Sequence, residues 1–289
     1  MNKKNIGLPW YFVWVKRLFK VAEILFPPLA NYWAWKFFTT PLQYPYPEAE
    51  KPYYHAATKK YVSYNNLKCA IYYWGDKDKP KVIVMHGWSS RATQFKNIID
   101  CLTEAGFQVI GIDAPAHGKS EGKETDLFGF AGILKMVCAQ EKEVHAIVGH
   151  SLGGVAAAIN VKNGLFVNRL VIMGSPAIAT DILNNFIDRI NAFPARAAYL
   201  RKIMKKRYKL DFEQATAAEI VKNFPEIETL LIYDTHDHEA PVRHGELLHK
   251  QIPTSTLLTT TKLGHTRMLK DAKVSQAILD FLKTPTILP

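Results

Sequence analysis

The chain predicts an α/β protein, a mostly parallel central sheet with helices on both faces. Three observations carry that expectation. From about residue 61 onward, short β-branched runs alternate with segments of helical spacing. The 289 residues are enough for one large domain with a substantial core. A composition of 48% hydrophobic and 22% charged residues is that of a globular chain and excludes disorder and low complexity.

Residues 1–60 stand apart as an aromatic, basic extension. Trp10, Trp14, Trp33 and Trp35 are four of the six tryptophans, and seven of the 16 prolines fall here. Between Pro9 and Pro27 the spacing predicts a helix. Lys16, Lys20 and Glu23 recur at i, i+4 and i+7 with Arg17 beside them, and apolar residues cover most of the remaining surface. Such a wide apolar face must be buried against the main domain, against a second subunit, or in a bilayer interface, where tryptophan and cationic side chains are favoured. Lys16 and Arg17 interrupt the apolar region and no small-x-small cleavage site follows, so a secretory signal fits poorly. The uncharged runs 6–15 and 24–35 are too short and too broken by proline to span a membrane.

The α/β region follows over residues 61–289. Residues 61–64 and 67–74 predict a hairpin turning at Asn65-Asn66. Further strands are expected at 81–86, 109–113, 144–149, 170–174, 230–233 and 255–260, with helices near 91–101, 126–140, 152–161 and 272–282. The stretch between Gly174 and Leu230 is longer than one crossover needs. Helical spacing at 181–192, 195–208 and 215–224 reads as a small cap inserted at about 176–226, over the carboxyl edge of the sheet.

Chemistry concentrates in one motif. Gly149-His150-Ser151-Leu152-Gly153 is a G-x-S-x-G between a buried strand and a small-residue helix, the context in which a serine hydroxyl is presented on a strained turn. His86-Gly87-Trp88 ends an earlier strand, where a loop would supply a second oxyanion donor. His86 itself is expected to orient that loop through hydrogen bonds.

With these motifs the chain resembles the α/β-hydrolase fold family over residues 61–289. Asp113-Ala-Pro-Ala-His117-Gly118-Lys-Ser120 is similar to that family's D-x-x-G-x-G-x-S turn, with Ala116 at the first glycine. Gly118-Lys119-Ser120 also mimics the end of a P-loop, but the required earlier glycine is Asp113. The resemblance implies a triad in the order Ser, Asp, His: Ser151 as nucleophile, Asp237 in the acid loop four residues before Pro241, and His265 after the last strand as general base. Asp234 is the alternative acid. The oxyanion hole would be the backbone amides of Trp88 and Leu152.

A serine at this position implies acyl transfer to water, hence a carboxylic ester or thioester hydrolase of the esterase or lysophospholipase kind acting on small molecules, with lipid-like or amphiphilic esters among the expected substrates. The alternative is a catalytically inactive binding protein of the same fold. No cofactor and no metal are expected: His236, Asp237, His238 and His244 lack a metal-ligand spacing.

The net charge of +11 is unevenly placed, with +6 in residues 1–60 and +6 in residues 181–210. No nucleic-acid-binding motif accompanies it, so nucleic acid is not expected as a partner. Attraction to anionic headgroups, with peripheral membrane contact through residues 1–40, is the sharper reading. Three cysteines at unpatterned spacing fit the cytoplasm, with the protein either free or at the inner face of the membrane. Oligomeric state is not encoded in any of these patterns.

Overall fold

The computed structural model describes residues 12–284. Its elements in order are helices α1 (Phe12–Leu25), α2 (Pro27–Thr39) and α3 (Lys51–Ala56), strands β1 (Thr58–Tyr64), β2 (Leu67–Trp74) and β3 (Lys81–Met85), then α4 (Lys96–Glu104), β4 (Gln108–Ile112) and α5 (Leu127–Glu141). There follow β5 (Val144–His150), α6 (Leu152–Lys162), β6 (Arg169–Met173), α7 (Ala179–Ile190), α8 (Ala195–Tyr208), α9 (Ala217–Ile220), β7 (Glu228–Asp234), α10 (Val242–Gln251), β8 (Ser255–Thr260), α11 (Gly264–Arg267) and α12 (Ala272–Lys283).

The strands form one sheet in the order β1-β2-β4-β3-β5-β6-β7-β8. The β1–β2 and β2–β4 pairs are antiparallel and every other pair is parallel. Asn65 and Asn66 turn the first hairpin with φ of 50° and 63°, left-handed positions that asparagine tolerates better than most residues. The central strands are buried on both faces, which explains their uninterrupted Val and Ile runs. One apolar cluster, around Ile83, Ile110, Phe130 and Ile147, lies on one face of the sheet. A second, around Val84, Phe95, Val148 and Ile278, lies on the other.

Side-chain caps start α5 and α12. Asp126 accepts from the Phe128 and Gly129 amides, and Asp271 from those of Lys273 and Val274.

The chain divides into two compact units, and the division differs from a boundary at residue 60. Unit 2 comprises Thr40–Ile178 and Glu213–Pro289. Residues 40–60 belong to it because Arg91 ties them there. Its Nε lies 2.8 Å from the buried Glu50 carboxylate, and its Nη1 and Nη2 donate to the Tyr44 and Pro45 carbonyls. Unit 1 joins α1 and α2 to Ala179–Phe212, so the N-terminal helices share a core with the inserted helices. Phe19, Ala30, Ala34 and Ile190 are its buried apolar centre, with Phe38 packed edge-on to Phe186.

One expected helix differs in extent. The expected helix at 215–224 shrinks to α9, because the chain leaves the helix after Val221 and Asn223 adopts φ 52° just before Phe224-Pro225. In α1 a buried acid sets which face turns inward. Glu23 is buried, lies 3.5 Å from both Arg196 Nε and Lys20 Nζ, and accepts from the Phe193 amide. A charge removed from water has to be paired, so this network turns Phe19, Ala22 and Glu23 inward and leaves the wider apolar stripe outside. Trp10, expected on the same helix, lies outside the described residues.

Candidate active site

The strands that carry the candidate residues are parallel neighbours, so their carboxyl ends open onto one edge of the sheet. The order reverses around β3, with β4 on one side and β5 on the other, and ligand sites of open α/β sheets form at such a switch point. From that edge β3 delivers His86-Gly87-Trp88, β5 delivers Ser151, the segment after β7 delivers Asp237, and α11 after β8 delivers His265.

Ser151 has φ 53° and ψ −123°, a strained conformation for a non-glycine residue. The turn is held by backbone bonds. The Ser151 amide donates to the Met173 carbonyl at 2.8 Å, and the Ser175 hydroxyl donates to the Ser151 carbonyl at 2.7 Å. The flanking glycines are a matter of space. A Cβ on Gly149 would lie 2.5 Å from Gly154 Cα, and one on Gly153 would lie 2.1 Å from the Met85 carbonyl oxygen. Gly87 is pressed against the nucleophile in the same way: a Cβ there would lie 2.8 Å from Ser151 Cβ. Leu152 opens α6, so its amide is among the helix N-terminal donors without an intrahelical acceptor. The Gly87–Ser151 approach brings the loop carrying Trp88 beside the same turn.

His265 Nδ1 lies 2.7 Å from Asp237 Oδ2. The other oxygen, Oδ1, accepts from the Glu239 and Ala240 amides at 2.8 and 2.9 Å. With Oδ1 taken by backbone amides, the carboxylate faces the imidazole with Oδ2, which can only accept. That keeps the proton on Nδ1 and leaves Nε2 as the basic nitrogen.

Asp234, the alternative acid, does a different job. Its Oδ1 accepts from the His236 and Gly264 amides, and its Oδ2 from the Leu263 amide and the Thr260 hydroxyl. It thereby clamps the segment that carries His265. Burial alone would raise its pKa, but these donors outweigh burial and hold it below the ordinary aspartate value.

Two further residues near the base carried no role in the sequence reading. His150 packs its ring 4.7 Å, centroid to centroid, from that of His265, and its Nε2 donates to the His265 carbonyl at 2.8 Å. Burial, with a smaller contribution from the nearby His265, pushes it down to about 3, so it is a neutral prop. Its place as the variable residue before the serine was the available signal. Glu239 places Oε2 3.9 Å from His265 Nε2 at the half-exposed rim of the site.

His86 uses both nitrogens on backbone, donating from Nδ1 to the Gly87 carbonyl and accepting the Ala114 amide at Nε2. His117 does likewise with Pro115 and Ser89. Ala116, where the family turn has glycine, adopts φ 63°. The acid-loop histidines are also engaged: His236 Nδ1 accepts from the Lys262 amide and His244 Nδ1 from the Ala177 amide. Among the described residues no group of three or more His, Cys, Asp or Glu is arranged to hold a metal ion.

The neutral histidines make stability depend on pH. Burial pushes His117 down to about 4 and His86 well below its ordinary value. In the unfolded chain the same imidazoles take up a proton near pH 6.5. The unfolded state therefore binds more protons between those values, and stability falls as pH drops from about 6.5 toward 4. His117 alone is expected to cost about 2 kcal/mol on going from pH 7 to pH 5, lowering Tm by about 5 °C. Thermal melts of wild type and His117→Gln check this. The variant should show a smaller drop, and equal drops would refute the assignment.

A family model described as serine aminopeptidase, S33, matches residues 76–279. The chain belongs to the α/β-hydrolase family. Among curated relatives, an uncharacterised hydrolase of Bacillus subtilis (strain 168) is 24% identical over 74% of this chain and 94% of its own length. A 2-hydroxy-6-oxononadienedioate/2-hydroxy-6-oxononatrienedioate hydrolase of Escherichia coli (strain K12) is 27% identical, over 71% of this chain and 87% of its own length. Among solved structures, an esterase from Pyrococcus furiosus superposes with a TM-score of 0.63 at 18% identity, covering 85% of this hydrolase and 97% of the esterase. A thioesterase domain from the curacin biosynthetic pathway gives 0.59 at 17% identity, covering 78% of this hydrolase and 99% of that domain.

Proposed function

We propose that this hydrolase is a serine esterase that cleaves a carboxylic ester or thioester through an acyl-enzyme. The observation that carries the reading is the 2.7 Å Asp237–His265 contact at the same sheet edge as Ser151 in its left-handed turn. Ser151 Oγ attacks the acyl carbon while His265 Nε2 takes its proton. The Leu152 and Trp88 amides hold the oxyanion, and Asp237 stabilises the imidazolium. The ester bond then breaks and the leaving alkoxide or thiolate takes the proton from Nε2. Water, deprotonated by the same nitrogen, attacks the acyl-serine, and the acid departs as Ser151 regains its proton. The three cysteines carry no disulfide pattern, which supports a cytoplasmic setting.

A second reading is hydrolysis of a carbon–carbon bond, favoured by the dienedioate hydrolases among the relatives. Glu239 speaks against it, because a carboxylate 3.9 Å from His265 Nε2 repels a dianionic substrate. A catalytically inactive binding protein of this fold is the third reading. Hydrolysis of p-nitrophenyl esters from acetate to palmitate, beside a 2-hydroxy-6-oxodienoate, separates them. The esterase reading expects turnover of at least one ester and none of the dienoate. Turnover of the dienoate alone would move the assignment to carbon–carbon hydrolysis; turnover of none would leave a narrow-substrate esterase or a binding protein, which labelling by a fluorophosphonate separates.

A further inference from the structure

Unit 1 combines two properties that seldom coexist on a surface in water. Trp14, Leu18, Val21, Ile24, Leu25 and Phe26 are each more than half exposed, Ile24 at 65%. Trp14, Leu18, Val21 and Leu25 follow the i, i+4, i+7, i+11 spacing of one stripe along α1. Contiguous apolar surface of this kind marks a contact site. It is also a consequence of the fold, because the buried Glu23–Arg196 pair fixes which side of α1 faces inward.

The charge of the same unit says what covers it. Residues 12–39 and 179–212 hold 12 Lys and Arg against four Asp and Glu, so they carry +8 of the chain's +11. The one acid of α1 is the buried Glu23, and α2 has none. Exposed Arg17 stands over the Trp14 ring at 5.1 Å, and Lys202, Lys206 and Lys209 are exposed along and just after α8. Two copies bringing such surfaces together would meet strong like-charge repulsion. An anionic bilayer surface attracts the charge and accepts the apolar stripe. Among the described residues no helix is long and apolar enough to cross a membrane, so the contact is interfacial.

We infer that unit 1 is a membrane-docking module. The α1 stripe inserts among the acyl chains of an anionic leaflet, and its lysines and arginines sit at the headgroups. The inference does not rest on the esterase reading, since it is tested by binding alone.

The test is co-sedimentation of the full chain with phosphatidylglycerol-containing vesicles and with pure phosphatidylcholine vesicles, at low and high salt. Wild type is expected to bind the anionic vesicles at low salt and to be released as salt rises. Leu18→Asp/Ile24→Asp should lose at least about tenfold in vesicle binding, while its circular dichroism spectrum and thermal melt match those of wild type. Lys202→Glu/Lys206→Glu, which touches no apolar residue, should weaken anionic binding independently of the first variant. Wild type remaining in the supernatant with anionic vesicles would overturn the proposal, as would variants that bind like wild type. So would a wild-type dimer that Leu18→Asp/Ile24→Asp converts to monomer, because the stripe would then be covered by a second copy.

Discussion

Ser151→Ala is expected to lose ester hydrolysis by about 10⁴-fold or more in kcat, with little change in KM. Ser151 Oγ is the atom that forms and breaks the acyl bond in the proposed cycle, and the histidines around it are held by backbone. His86 and His117 have both nitrogens bound to backbone, and the His150 Nε2 is committed to the His265 carbonyl. The substitution should leave the fold intact. The turn is held by the Ser151 amide and carbonyl, through Met173 and Ser175, and neither bond uses the side-chain hydroxyl. Alanine at φ 53° bears the same backbone strain as serine. A steady-state comparison on the best p-nitrophenyl ester, with a matched thermal melt, checks both halves. A loss below about tenfold with an unchanged melt would remove Ser151 from the chemistry.

The next largest effect is expected of Asp237→Asn, about 10³- to 10⁴-fold in kcat. Its direction follows from the hydrogen bonds around the carboxylate. Oδ1 faces two backbone donors, the Glu239 and Ala240 amides, so an asparagine places its carbonyl oxygen there. Its NH₂ then points at His265 Nδ1, which must accept, and the imidazole proton moves to Nε2. The nitrogen that should take the serine proton already carries one. The variant is isosteric and keeps the loop bonds, so binding and stability should change little. Asp234→Asn offers the contrast. Asp234 clamps Leu263 and Gly264 without touching the imidazole, so its loss should act by loosening the histidine segment, lowering activity and Tm together. If Asp234→Asn proved the more damaging in kcat with an unchanged melt, the two aspartates would exchange roles.

Much of unit 2 was legible in the sequence because its signals are local. The G-x-S-x-G, the strand before it and the helix after it lie within a few residues of one another, and its glycines report the close backbone approach that this turn demands. In the sequence Asp237 is preferred to Asp234 only through the resemblance to the family's acid loop, and the structure places Asp237 2.7 Å from His265. The supporting parts were hidden because they depend on who meets whom across the fold. Nothing beside His150 in the sequence shows that its ring lies against His265, 115 residues away. Likewise the partnership of residues 12–39 with Ala179–Phe212 rests on contacts such as Glu23–Arg196, spanning more than half the chain. The rotation of α1 is set the same way. Periodicity groups residues by face, but a distant arginine decides that the face with the acid turns inward.

The most direct test of the proposed chemistry is the intact mass of the folded protein after exposure to a fluorophosphonate, a reagent that phosphonylates an activated serine. The esterase reading expects one adduct on wild type, located at Ser151, and none on Ser151→Ala. A folded wild type that takes up no adduct, or a Ser151→Ala variant that still takes one, would contradict it.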